Sequence, residues 1–289
     1  MIRHFLNPPN WFTSASIFCS TYALALIIGE GAAGLDEKTL VKACVLVIFG
    51  GVFDLLDGRV ARMTNRFTEF GMQLDSIADI ISFGVAPAML AWAWRLHEWG
   101  SLGAIVTFWY VLAAAFRLAR FNVNSVHRAW PLEGHSQGLT TTMGGGALVT
   151  LVWVSNGYLH EYVQVSTGLV AVAVIVLGFL MVSSVPFRNF KDIRRNRFAS
   201  VSLAVALALS LAGAVVLDPS MLFGVGAFLY VTWGLVDGLA VAVHHRRLGR
   251  TLDPDEEVGL AEFVESALAQ YDDEDEREEF TEEHVKLRR

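Results

Sequence analysis

The chain has 289 residues, 54% of them hydrophobic, with a mean hydropathy of +0.45, which excludes an ordinary soluble domain and points to a membrane protein. The formal net charge of −7 is unevenly spread. Residues 253–289 hold fifteen of the 29 acids and four of the 22 bases, leaving residues 1–252 mildly basic, with fourteen acids against eighteen bases. A basic membrane body suits an anionic lipid surface. No Walker loop, zinc-ligand spacing or nucleotide-binding glycine fingerprint is present, and no nucleic-acid partner is expected.

Residues 1–10 form a short interfacial segment, and the apolar run 11–28 is predicted to be an uncleaved first helix rather than a signal peptide. Thr13, Ser14, Ser16, Ser20 and Thr21 interrupt it, a pattern suited to packing on other helices. Further spans are predicted over about 39–59, 76–96, 101–121, 141–160, 163–185, 199–217 and 220–243, each near the ~20 residues that a bilayer needs. Cys19 and Cys44 lie in apolar runs and read as small buried hydrophobes. The expected fold is an all-α polytopic membrane protein of about eight transmembrane helices.

The bases alternate from loop to loop. Arg3, Arg59, Arg62 and Arg66, Arg117, Arg120 and Arg128, the cluster Arg188 to Arg197, and Arg246 to Arg250 fall on one side. Lys38, Lys42 and Arg95 fall on the other. Short loops rich in Lys and Arg face the cytoplasm, so both termini are predicted to be cytoplasmic.

Between the second and third spans lie four carboxylates beside strongly apolar runs. Asp54 and Asp57 are three residues apart and Asp75 and Asp79 four apart, so each pair shares one helical face. Two helices joined by the polar stretch from Met63 to Phe70 place the two acidic faces together at the cytoplasmic end. Converging carboxylates repel strongly at low dielectric, and hard divalent cations such as Mg²⁺, Mn²⁺ or Ca²⁺ relieve the repulsion. Gly58 and Ala61 remove bulk from the same region, and Arg59 and Arg62 add cations, a combination suited to phosphate or pyrophosphate.

The full pattern, D-x-x-D-G-x-x-A-R-x8-G-x3-D-x3-D, is filled by Asp54, Asp57, Gly58, Ala61, Arg62, Gly71, Asp75 and Asp79. It resembles the signature of the CDP-alcohol phosphatidyltransferases. Ser82-Phe83-Gly84-Val85-Ala86-Pro87, Arg117-Leu-Ala-Arg120-Phe-Asn122 and the Phe-Lys pairing at Phe190-Lys191 look most like the phosphatidylserine synthase branch. Thr140 departs from the proline usual there. Pro87 in mid-span is also expected to kink its helix.

The resemblance implies attack by an alcohol, L-serine in that branch, on the lipid-side phosphorus of CDP-diacylglycerol, with release of CMP. Asp54, Asp57, Asp75 and Asp79 would hold divalent metal, Mg²⁺ or Mn²⁺ and two ions in number. Asp79 is the candidate general base. Gly58, Ala61, Arg62, Gly71 and Thr13 would line the CDP-lipid site. Arg117, Arg120, Asn122, Arg188 and Lys191 are candidates for the acceptor pocket. A homodimer in the cell membrane is implied. Sister enzymes that use glycerol 3-phosphate, inositol phosphate or choline keep the same signature, and an ion-coupled transporter is the alternative outside the family. Asp237, a lone acid in the last span, reads as structural. Residues 1–250 are expected to form the catalytic membrane domain, and 251–289 an acidic cytoplasmic tail, partly disordered.

Overall fold

A computed structural model describes residues 7–31, 35–64, 68–127, 135–156, 165–188 and 221–247. They form α1 (Pro8–Glu30), α2 (Glu37–Thr64), α3 (Glu69–Asp79), a π-helical segment (Ile80–Val85), α4 (Ala86–Trp94) and a 3-10 turn (Leu96–Trp99). Then come α5 (Ser101–His127), β1 (His135–Gln137), α6 (Thr141–Asn156), α7 (Thr167–Val182), β2 (Pro186–Arg188) and α8 (Met221–Arg247). The protein is mostly helical. Among the described residues, four stretches, Pro8–Glu30, Glu37–Met63, Phe70–Trp94 and Ser101–Asn124, are long and apolar enough to cross a bilayer, so the protein is embedded in a membrane. The predicted span 199–217 lies outside the described residues.

The third span starts at Glu69, earlier than the apolar run alone predicts. Thr68 is the reason: its hydroxyl accepts the Gly71 N–H at 3.0 Å and caps α3, so helix begins within the polar stretch. Asp75 therefore sits inside a helix. The span is not one α-helix either. In the π segment the Ala86 N–H bonds the Ile81 carbonyl, five residues back, and α4 then restarts with Pro87 in its first turn.

α1 packs along α2 and touches α3, α5 packs on α7, and α6 lies against α2 and α8. Small residues make this close. Ala86, Ala88, Ala91, Ala93, Ala113 and Ala114 are buried among Leu90, Leu96, Tyr110, Leu148 and Met181. Phe18, Phe49, Ile105, Phe108 and Phe179 point outward, a cost in water that a lipid surround removes. Cys19 and Cys44 are buried free thiols.

At the turn after α4, Arg95 pairs with Glu98 at 3.1 Å and the Thr167 hydroxyl donates to the other Glu98 oxygen. Thr167, then Arg95, hold the Glu98 carboxyl below its ordinary range. The two strands pair antiparallel, His135 opposite Arg188 and Gln137 opposite Pro186. Such three-residue strands carry no sequence pattern long enough to predict. Asp237 of α8 reaches this ribbon, with Oδ2 3.7 Å from His135 Nε2.

Candidate active site

The two acidic faces meet as their spacing predicts. One carboxylate oxygen each from Asp54, Asp57 and Asp75 lie within 4.8 Å of one another. Asp57 is buried, and Asp54 and Asp75 are half-buried. The Asp79 side chain meets that of Asp54, and the Arg117 guanidinium lies near enough to act on the Asp79 charge. An all-oxygen donor set gathered from two rigid helices fits a hard divalent cation.

The first helix braces the cluster. Thr13 donates to Asp57 Oδ2 at 2.7 Å and so fixes the orientation of one ligand of the cluster. Gly71 lies against α1: an added Cβ would stand 3.3 Å from Asn10 Oδ1 and 3.0 Å from Thr68 Oγ1. The close approach at Gly71 is thus between α1 and α3, rather than between the two acid-bearing helices. At Gly58 an added Cβ meets nothing within 4 Å, so the backbone borders open space beside Asp57. Arg62 is exposed, its Nε donating to the Gly58 carbonyl at 3.0 Å, and Ala61 is half-buried.

The acceptor candidates separate. Arg117 is 7% exposed, donates through Nη1 to Thr141 Oγ1 at 3.2 Å and lies 5.0 Å from the Phe121 ring centre. Its Nε meets no acceptor among the described residues, so it retains donor capacity beside Asp79. Asn122 donates to Ser76 Oγ at 3.1 Å, and Ser76 follows Asp75 in α3, before Asp79.

Arg120 does a different job. Its guanidinium binds the carbonyls of Met181, Val182, Ser183 and Gln137 at 2.7–3.1 Å, tying the C-terminus of α7 to β1. Gly138, at φ +72°, completes that junction, because a Cβ there would stand 2.5 Å from the Met181 carbonyl oxygen. Arg188 belongs to β2, and Lys191 lies outside the described residues.

Sequence reasoning assigned no site role to Thr141 or Tyr230. Tyr230 of α8 lies near enough to Arg117 for the two to interact electrostatically. Thr141 left a signal, a hydroxyl in the opening turn of a helix; Tyr230, one aromatic among many, left none.

The site is thus a candidate divalent-cation centre held by two helices of a membrane protein. The family model for CDP-alcohol phosphatidyltransferase matches residues 6–180, which include every acid of the cluster. The chain belongs to the CDP-alcohol phosphatidyltransferase family and is an enzyme of the transferase class. It is 33% identical over 242 residues to the CDP-diacylglycerol--serine O-phosphatidyltransferase of Helicobacter pylori (strain ATCC 700392 / 26695), covering 82% of this chain and 95% of the relative. The enzyme of the same name from Bacillus subtilis (strain 168) is 32% identical over 152 residues, 52% of this chain and 77% of the relative. That from Methanocaldococcus jannaschii is 32% identical over 174 residues, 60% and 75%.

Proposed function

We propose that this enzyme transfers the phosphatidyl group of CDP-diacylglycerol to L-serine, giving phosphatidylserine and CMP. The observation that carries the reading is the acid cluster itself, with one oxygen each of three carboxylates inside 4.8 Å and the Asp79 side chain meeting that of Asp54. The serine specificity rests on the names of the relatives and on the branch-like phrases around Pro87 and Arg117.

Asp54, Asp57 and Asp75 would hold the divalent cation, with Asp79 completing a second position. Bound Mg²⁺ or Mn²⁺ would neutralise charge on the pyrophosphate and on the departing CMP. Asp79 takes the proton from the serine hydroxyl as its oxygen forms the new bond to phosphorus. The bond from that phosphorus to the bridging oxygen breaks, and CMP leaves. Arg117, with donor capacity beside Asp79, suits the serine carboxylate. Gly58, Ala61, Arg62, Gly71 and Thr13 border the CDP-lipid, and the open space at Gly58 leaves room for its phosphates.

Eight spans, a cell-membrane location, cytoplasmic termini and a cytoplasmic site belong to this reading, as does the implied homodimer. Residues 1–250 act as the catalytic domain, and residues 251–289 as an acidic tail that takes no part in the chemistry. In intact cells a thiol probe that cannot cross the membrane is expected to label Gly34→Cys and to miss Arg66→Cys; the reverse pattern refutes the orientation. The assay for the reaction is CMP release with serine as acceptor, run on the full chain and on a chain ending at Arg250. Equal turnover is expected, and a hundredfold loss in the folded shorter chain would place the tail in the site.

A further inference from the structure

The π-helical segment begins immediately after Asp79, and the packing around it is unusually specific. Proline at 87 has no N–H, so the carbonyl of Phe83, four residues earlier, lacks its α-helical donor. The Tyr110 hydroxyl, reaching across from α5, donates to that carbonyl at 3.4 Å. Tyr110 is fully buried, so its phenol needs a hydrogen-bond partner within the protein interior. At membrane depth a carbonyl freed by proline must find such a donor inside the protein.

Two other helices grip the same turn. Ser20 donates to Ser82 Oγ at 2.8 Å, and Ser16 Oγ lies 3.1 Å from Ser82 Oγ, all three hydroxyls being fully buried. On the other side Gly145 of α6 lies against Phe83, where an added Cβ would stand 2.7 Å from the Phe83 oxygen and 2.8 Å from its Cα. α1 is shared between both acid-bearing helices: Thr13 holds Asp57, and one and two turns further on Ser16 and Ser20 hold Ser82. At 3.6 residues per turn, one inserted residue is worth about 100° of rotation. The segment therefore uncouples the rotation of the turn that carries Asp79 from that of α4.

From these contacts we infer that Ile80–Val85 is the element that sets the Asp79 carboxylate against the other acids and Arg117, with Tyr110 and Ser82 as positioning residues. Tyr110 replaces the hydrogen bond that Pro87 withholds. This rests on the proposed transferase reading only for its kinetic readout.

The test is a double-mutant cycle of Tyr110→Phe with Pro87→Ala, read by serine-dependent CMP release and by direct Mn²⁺ titration. Tyr110→Phe is expected to lower kcat on the order of tenfold while KM for CDP-diacylglycerol stays within about twofold, since misplacement of a reacting group by about 1 Å can cost ~10². Pro87→Ala restores an N–H for the Phe83 carbonyl, so in that background the loss on Tyr110→Phe should shrink to under about threefold. Mn²⁺ affinity should follow the same pattern. An equal loss in both backgrounds, or unchanged kcat and Mn²⁺ affinity in Tyr110→Phe, overturns the inference. If Tyr110→Phe is not recovered folded, Ser82→Ala takes its place, with lowered kcat at unchanged KM expected and unchanged kcat overturning. If wild-type protein makes no phosphatidylserine while the Mn²⁺ pattern holds, the transferase reading fails and the positioning role stands.

Discussion

Asp79→Asn is expected to lower CMP release by ~10²–10⁴, the range that general-base catalysis contributes. Binding of CDP-diacylglycerol should remain within about tenfold, or ~1.4 kcal/mol. The substitution keeps the size of the side chain and one oxygen but removes the base. Asp79 is the acid proposed for this role because it lies one turn beyond Asp75, where its side chain meets that of Asp54. Asp57→Asn and Asp75→Asn weaken the ligand set instead, so excess Mn²⁺ should partly restore them and leave Asp79→Asn inactive. Metal titration of the variants, with nucleotide-lipid binding and CMP release measured separately, decides the roles. Recovery of Asp79→Asn at high Mn²⁺ would make it a ligand and leave the base elsewhere.

Chelation is the second large effect: EDTA should abolish turnover, and Mg²⁺ or Mn²⁺ should restore it. Three carboxylate oxygens gathered within 4.8 Å repel by about 3 kcal/mol per ionised pair at an effective dielectric near 20. Among the described residues, Thr13 and the Gly58 backbone each offer Asp57 a hydrogen bond, and Arg117 one positive charge acting on Asp79. That is too little to balance four carboxylates, so divalent cation has both a place and a reason to bind. Full activity of a rigorously metal-free preparation would sink the idea.

The acid cluster was legible because helical spacing is rigid. Asp54 and Asp57, like Asp75 and Asp79, must share a face once each stretch is helical, and the short polar connection leaves the faces little choice but to meet. Thr13 was readable as a residue near the site, and its bond to Asp57 gives that reading a mechanism. Arg120 was not legible. An arginine at a helix end looks the same whether it anchors at the interface, binds substrate or caps a neighbour, and only the geometry shows its guanidinium on four carbonyls. Gly71 stands in the sequence pattern, but that it lies against Asn10 of α1 is a contact only the geometry shows. Pro87 announced an irregular helix. The form of the irregularity, a π segment serviced by Tyr110 from another helix, depends on a contact 27 residues apart in sequence that no local pattern encodes.

The central claim is tested most directly by an acceptor panel: purified protein, CDP-diacylglycerol and Mn²⁺, with serine, glycerol 3-phosphate, inositol phosphate or choline, scored for both CMP and lipid product. Serine is expected to give CMP and phosphatidylserine in equal amounts, with the other acceptors at background. CMP release with a different acceptor and none with serine would contradict the assignment while keeping the chain in its family, and no CMP with any of them would contradict the proposed chemistry itself.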